Sequence, residues 1–298
     1  MAGRTGGHRP TVTSGPPCPA PGVTVVVMSR DRREDLLVTL PRHEAPVVLV
    51  DNASTDGTVA AVHAALPEVT VLPMQRNVGS YARTVGVEHV DTEFVAFADD
   101  DSWWAPGALA RAAEIMRAHA RLAVLNARIL VGPEERLDPV CAEMARSPLS
   151  GSDLPGPALL GFVACGAMVR TEAFLAAGGF DPVVRFPGEE ERVSLDLAAA
   201  GWGMAYVDSV TVHHHPSTRR HAPEQRRTAI WRSRFLTALM RRPIAEVGRV
   251  VVEAVRTGAP ECRGLLRALP DVPAALSRRR PVPPAVREQL RVLAESTA

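Results

Sequence analysis

Three acidic clusters follow apolar runs in this chain of 298 residues, and their side chains could hold a cation or move a proton. The run at 94–98 ends in Asp99, Asp100 and Asp101. Adjacent carboxylates repel one another and lose hydration at a strand end, so either water in an open turn or a bound cation must relieve them. On the water reading the cluster is a solvated turn ahead of a helix whose dipole favours acids. On the cation reading it is a magnesium or manganese site, because such ions take carboxylate oxygens from one or two residues and keep positions open for water and phosphate. In "DNASTDGT", residues 51–58, Asp51 serves equally well as a helix cap or as a ligand contact, and Asp56-Gly57 reads as a turn. "GEEERVSLD", residues 188–196, offers Glu189, Glu190 and Glu191. They form either a charged first helical turn or the source of a general base, whose pKa neighbouring carboxylates would raise. "HHHPS", residues 213–217, follows a strand pattern. Its histidines are ordinary strand-end residues or contacts for metal or phosphate.

The elements that must position these residues are legible as alternating patterns. Strands are expected over 23–28, 47–50, 69–72, 94–98 and 123–130, with helices over 33–40, 58–65, about 80–90 and 106–118. Such alternation requires an α/β fold with a mostly parallel sheet covered on both faces, and ligands then bind beyond the carboxyl ends of the strands. The acidic clusters fall at those ends. Residues 132–157, rich in Pro, Gly and Ser, read as a mobile loop. A second block follows, with strand-like runs at 162–169, 204–207 and 210–213, helices at 171–177 and 189–200, and a "GGFD" turn at 178–181. Residues 1–22 carry little that could pack and read as a flexible tail. Beyond Pro216 the pattern is helical and arginine-rich, broken at Pro243 and Pro260.

Taken in order, these pieces resemble the family 2 glycosyltransferases, which have the GT-A (nucleotide-diphospho-sugar transferase) fold. The resemblance covers about residues 23–215. "VVVMSRDRREDLL" at 25–37 is similar to the family's first strand and loop, and "VVLVDNASTDGT" at 47–58 to the second strand, whose aspartate, here Asp51, contacts the nucleotide base. "NVGSYARTVGV" at 77–87 resembles the segment whose arginine, here Arg83, faces the diphosphate. The triple aspartate stands at the DxD position. The resemblance therefore implies Asp101 as metal ligand, Asp99 as a ribose and metal contact, and Asp100 as a further donor-binding residue.

"GFVACGAMVRTEAFLAAGGFD" at 161–181 resembles the start of the acceptor side. The family's Glu-Asp pair falls on Glu189 and Glu190, with Glu190 as base and a slip to Glu191 left open by the longer side chain. His213 matches a family histidine near the diphosphate, with His215 second. Ser29, Arg30 and Asp31 stand where relatives hold the base with an aromatic or Thr-Tyr pair, and Thr84 replaces an asparagine. The implied architecture is a disordered tail at 1–22, a GT-A domain at 23–217 and a helical extension at 218–298. Within the GT-A domain, 23–131 bind the nucleotide sugar and 158–217 carry the acceptor and catalytic half. The implied activity is inverting transfer from a UDP-, dTDP- or GDP-sugar, with Mn2+ or Mg2+, to a hydroxyl on a glycan, a lipid-linked sugar or a small molecule.

Composition bounds the alternatives. A formal charge of +1, with all basic residues arginine, argues against a polyanion binder, and 46% hydrophobic residues suffice for a sizeable core. No run approaches the roughly 18–20 apolar residues of a membrane span, and no leader pattern opens the chain, so a cytoplasmic location is expected. Cys18, Cys141, Cys165 and Cys262 form no CxxC pair and are expected to be free thiols. The segment 226–243 sets Ile230, Phe235, Leu236 and Leu239 near one face. It reads as a helix packed on the catalytic domain, or as a peripheral contact with anionic lipid at the inner face of a membrane. Few aromatics and no recognition motif speak against nucleic acid. Two other functions remain: a catalytically inactive GT-A-like binding or scaffolding subunit, and a nucleotidyltransferase, for which "MSRDRRE" lacks the glycines.

Overall fold

A computed structural model describes residues 20–217 and 222–296. The tail expected at 1–22 lies outside the described residues as far as 19, as does Cys18. Residues 20–22 are held to the domain: Ala20 is buried and its N–H donates to the Glu44 carbonyl at 3.2 Å, and the Gly22 carbonyl accepts the Phe94 N–H at 3.0 Å.

The first half alternates as its pattern requires. β1 (Val23–Ser29), α1 (Arg33–Thr39), β2 (Val47–Asp51), α2 (Thr58–Ala65), β3 (Thr70–Pro73), α3 (Tyr81–Glu88) and β4 (Phe94–Ala98) follow in order. Valine-rich runs form β1 and β2 because every residue is shielded on one face or the other. The chain continues through β5 (Ser102–Trp104), α4 (Ala108–Ala118), β6 (Leu122–Val131), β7 (Arg136–Leu137), α5 (Pro139–Ala145), β8 (Ala167–Arg170), α6 (Thr171–Ala176), α7 (Glu190–Ala199) and β9 (Gly203–His214).

The strands form one sheet in the order β3-β2-β1-β4-β8-β6-β9-β5, with β7 paired to β6. The pairs β1–β2, β2–β3 and β1–β4 are parallel, as expected. The second half corrects the mostly parallel expectation. β8 runs antiparallel to both β4 and β6, and β5 runs antiparallel to β9. The chain enters β8 from the strand ends that carry the acidic tip, through a short 3-10 turn at Ala164–Gly166 instead of a helical crossover, so its direction is reversed.

The loop expected at 132–157 contains β7 and α5, whose cap is Asp138: its side chain accepts the Val140 N–H at 3.0 Å, with Pro139 at the first helical position. The strand expected at 162–169 is shortened to β8. Those at 204–207 and 210–213 merge into β9, where the register steps from Ala127↔Val207 to Arg128↔Thr211 and residues 208–210 bulge out unpaired.

Helices α1, α2 and α4 cover one face, packing Leu36, Val62, Leu109 and Met116 on inward residues of β1 and β4. Helices α3, α6 and α7 cover the other, where Phe97, Phe174 and Phe180 meet edge-on with centroids 5.3–5.7 Å apart. Each such fully buried ring stabilises the fold by roughly 1.5–3 kcal/mol.

Beyond residue 222 the chain is helical: α8 (Pro223–Arg241), α9 (Ile244–Thr257), α10 (Ala259–Ala268), α11 (Val272–Ser277) and α12 (Pro284–Ser296). In α8, Trp231, Leu236 and Leu239 are buried in a separate cluster with Val183, Val247 and Val250, which fits the packing reading of 226–243. α12 returns to the sheet, setting Val286, Leu290 and Leu293 against the α3–α7 side. The join between α7 and α8 is ionic: Asp196 accepts from Arg192 at 2.7 Å and from Arg241 at 2.9 Å.

Candidate active site

β1 leads through α1 to β2 on one side, and β3 leads through α3 to β4 on the other, so the sheet's crossovers diverge between β1 and β4. A crevice opens at such a point beyond the carboxyl ends of the strands. Ser29 closes β1 and the three aspartates follow β4. The Ser29 hydroxyl donates to Asp100 Oδ2 at 2.8 Å across the gap, and the Thr39 hydroxyl donates to the Asp100 carbonyl at 2.9 Å. Burial, then the charges of Asp99 and Asp101, push the Asp100 carboxyl up to about 7, against the pull of Ser29 and Arg32.

Beside this tip lies a cavity of about 400 Å³, lined by Met28, Ser29, Arg30, Asn52 and Asp100, with Asn77 and Gly79 on one wall and Arg185 and Phe186 on another. Asn52 fixes the 77–79 loop: it donates to the Gly79 carbonyl at 3.1 Å and accepts the Val78 N–H at 2.8 Å. Next to it, Asp51 is buried; its Oδ2 accepts the Ser54 N–H at 3.0 Å while Oδ1 meets no partner. Asp31, at φ 53°, laces the rim together by accepting the Thr55 N–H at 2.7 Å.

Arg83 projects from α3 and is 2% exposed; it donates to Asp99 Oδ1, and to Oε1 of Glu189 at 3.3 Å, which is itself 1% exposed. Burial lowers the guanidinium pKa, but Asp99, Glu189 and Glu190 more than offset it, so it stays protonated. Both Glu189 and Glu190 are held above the ordinary carboxyl range, chiefly by burial. Glu190 is half-buried, with the Ala164 N–H facing its carboxylate. The structure thus brings the aspartate tip, Arg83 and the glutamate pair into one cluster. Thr84, which stands in place of the family's asparagine, pins the "GGFD" turn by donating to the Phe180 carbonyl and accepting the Phe180 N–H at 2.7 Å.

Glu191 points away from the cluster and pairs with Arg242 at 2.6 Å, because the next helical position turns toward α8. His213 does not reach the aspartates. Its ring stacks on Trp103 at 5.3 Å and its Nδ1 lies 3.0 Å from Glu135; His215 meets the same tryptophan edge-on at 4.7 Å. Strand alternation puts His214 on the other side, where Nε2 stands 3.4 Å from Asp101 Oδ1. The chain then folds over the tip: Asp101 Oδ2 accepts the Ser217 N–H at 2.9 Å, and Arg32 donates to the Ser217 hydroxyl at 2.6 Å.

A family model described as glycosyl transferase family 2 matches residues 25–176, about half of the chain. The chain belongs to that family. Among relatives of this family 2 glycosyltransferase, the N-acetylglucosaminyl-diphospho-decaprenol L-rhamnosyltransferase of Mycobacterium tuberculosis is 28% identical over an alignment of 206 residues that covers 57% of this chain and 66% of that protein. Just under two thirds of the relative's length is therefore matched. Among solved structures, TarS residues 1–349 from S. aureus superposes with a TM-score of 0.54 at 17% identity over 85% of this chain and 80% of that one. The mannosyltransferase PcManGT from Pyrobaculum calidifontis, solved with GDP-Man and Mn2+, gives 0.51 at 18% identity over 97% and 79%. These likenesses show the GT-A fold.

Asn52, Asn77, Gly79, Arg185, Phe186 and His214 border the site but were not singled out by sequence reasoning. "DNAS" and "RNVGS" carried the signal for the asparagines, since Asn and Gly cluster where a loop must turn tightly. Nothing local marks Arg185 or Phe186.

Proposed function

We propose that this family 2 glycosyltransferase transfers a sugar, with inversion and with a divalent cation, from a nucleoside-diphosphate sugar to an acceptor hydroxyl. The observation that carries the reading is Arg83, which joins Asp99 of the aspartate tip, whose neighbour Asp100 lines the 400 Å³ cavity, to Glu189 of the glutamate pair. Donor-binding and proton-accepting groups are then within one cluster. The base moiety fits against Asn52 and Arg30, with the buried, unpartnered Oδ1 of Asp51 next in the chain to Asn52.

Among the described residues no three His, Cys, Asp or Glu side chains form a ready-made cage. Magnesium or manganese held by one or two carboxylates and by substrate phosphates needs none. The tip fits such an ion in its chemistry: three adjacent carboxylates offer oxygen ligands, and burial followed by the charges of Asp99 and Asp101 raises Asp100, a strain that a cation would relieve. Asp101 would hold the cation, with Asp99 and the neighbouring His214 as further contacts. When bound, the cation would offset the charge on the departing diphosphate.

Glu190 is the base in this reading, because it is the more accessible of the raised pair while Glu189 is held by Arg83. Its carboxylate takes the acceptor's hydroxyl proton as that oxygen bonds to the anomeric carbon. On the opposite face the bond from that carbon to the β-phosphate oxygen breaks, and the nucleoside diphosphate leaves with the electron pair. A positioned carboxylate supplies roughly a hundred-fold or more. The mycobacterial relative's name supports a lipid-linked sugar as acceptor.

The test pairs Asp101→Ala with Asp101→Asn, assayed with UDP-, dTDP- and GDP-sugars with and without manganese. Transfer or donor hydrolysis should fall by about a hundred-fold or more while the melting temperature holds within a few degrees. Full activity in both variants would overturn the metal assignment. Neither hydrolysis nor a thermal shift with any donor in the wild type would favour the inactive binding subunit.

A further inference from the structure

The helix α9 is apolar on two sides. Val247, Val250 and Ala254 face the C-terminal cluster. On the outside stand Ile244, Val251, Val252 and Val255, which are 64%, 37%, 48% and 65% exposed. At 3.6 residues per turn these four share one stripe about 100° wide. The stripe is bordered by the exposed Arg249 and Arg256. The helix's two acids are both engaged elsewhere, Glu253 with Arg234 at 2.6 Å and Glu246 with Arg242 at 3.9 Å. The neighbouring α10 adds exposed Leu266 and Arg267, and the turn after it adds exposed Leu269. Among the described residues no helix is long and apolar enough to cross a membrane.

We infer that α9 lies flat in the interface of an anionic membrane, its valine stripe among the acyl chains and Arg249 and Arg256 at the lipid phosphates. An aliphatic face edged by arginines and cleared of unpaired acids has the charge and the hydrophobicity that such a surface selects. Arginine stems reach phosphate while the helix body stays in the apolar layer. A second copy of the chain fits less well, since a two-fold contact through this face would bring the same arginines together with no acidic partner. The position of α9 also serves the proposed reaction, on which this clause rests. Arg242, two residues before the helix, pairs at 2.6 Å with Glu191, next to the base Glu190. A membrane held by α9 is therefore held at a fixed height from the carboxylate that must meet a lipid-linked hydroxyl.

The test is co-sedimentation of the whole chain with vesicles of phosphatidylcholine alone or mixed with phosphatidylglycerol. The wild type should partition onto the anionic vesicles about tenfold more strongly than onto neutral ones, and less so at high salt. The triple variant V251S/V252S/V255S and the double variant R249Q/R256Q should each lose about tenfold or more of that binding. All three proteins should keep the wild-type far-UV spectrum and the same thermal shift with donor, because the substitutions are on the solvent side. Equal vesicle binding by the triple variant would overturn the inference, as would absence of binding by the wild type. A concentration-dependent dimer that the triple variant abolishes would overturn it in favour of a second copy. Intact vesicle binding without sugar transfer would support the membrane face and count against the proposed reaction alone.

Discussion

Replacing Arg83 with methionine keeps the length of the stem and removes the guanidinium. At 2% exposure, Arg83 neutralises a Glu189 that is 1% exposed, and taking away one partner of a buried pair costs about 3–5 kcal/mol. Asp99, whose side chain is 30% exposed, is screened by water and adds little. At roughly 2–4 °C per kcal/mol for a protein of this size, the melting temperature should fall by about 6–20 °C.

The loss should also depend on pH. Glu189 is already held above the ordinary carboxyl value of 4.5, and losing Arg83 raises it further. From 4.5 up to that raised value the folded state binds more protons than the unfolded one, so the variant's stability falls as pH rises through the window. Because Glu189 is raised to about 8 with Arg83 in place, the two proteins run in parallel below that value, and urea unfolding followed by circular dichroism should show a small deficit near about pH 7 and a larger one near about pH 9.5. R83M/E189Q should recover much of it, because the orphaned charge is gone. An R83M protein within about 1 kcal/mol of the wild type near about pH 9.5, or one with the same deficit at both pH values, would refute the reasoning.

Two further variants separate roles within the cluster. Asp100 is raised from 3.8 to about 7, so its ionisation penalty is absent below 3.8 and complete above about 7. D100N should match the wild type at about pH 4 and melt a few degrees higher at about pH 8, as thermal melts across pH would show. E191Q breaks a half-exposed pair with Arg242, so it should cost about 0–1 kcal/mol and leave kcat within about twofold, whereas E190Q should lose about a hundred-fold. Steady-state kinetics of the two proteins decide between them.

The strands β1, β2 and β4 were legible within a residue or so because they are buried on both sides and read as unbroken valine or phenylalanine runs. β5 was not: three residues after the acidic tip carry no period of their own and become a strand only by pairing with β9. α5 falls in a stretch whose Pro, Gly and Ser content reads as loop, although Asp-Pro ahead of "VCAEMA" is a helix start. At the site, Asp99–Asp101 and the glutamates were visible as crowded charge. The partners that decide their roles were not, because Arg83 comes from α3 and Arg242 from the end of α8, 51 residues from Glu191. A charge pattern shows that neutralisation is needed and leaves open which distant arginine supplies it.

The three unpaired residues at 208–210 of β9 act as a counter. Because their number is odd, they invert the parity of every position downstream, and that inversion is what turns His214 instead of its two neighbours toward Asp101. Deleting Ser209 alone would leave an even step, rotate the histidine run by half a pleat, and exchange one imidazole for another at the acidic tip. The chemistry offered there is thus governed by a length as well as by residue identity, and that length is set by a bend whose Asp208 and Ser209 face solvent.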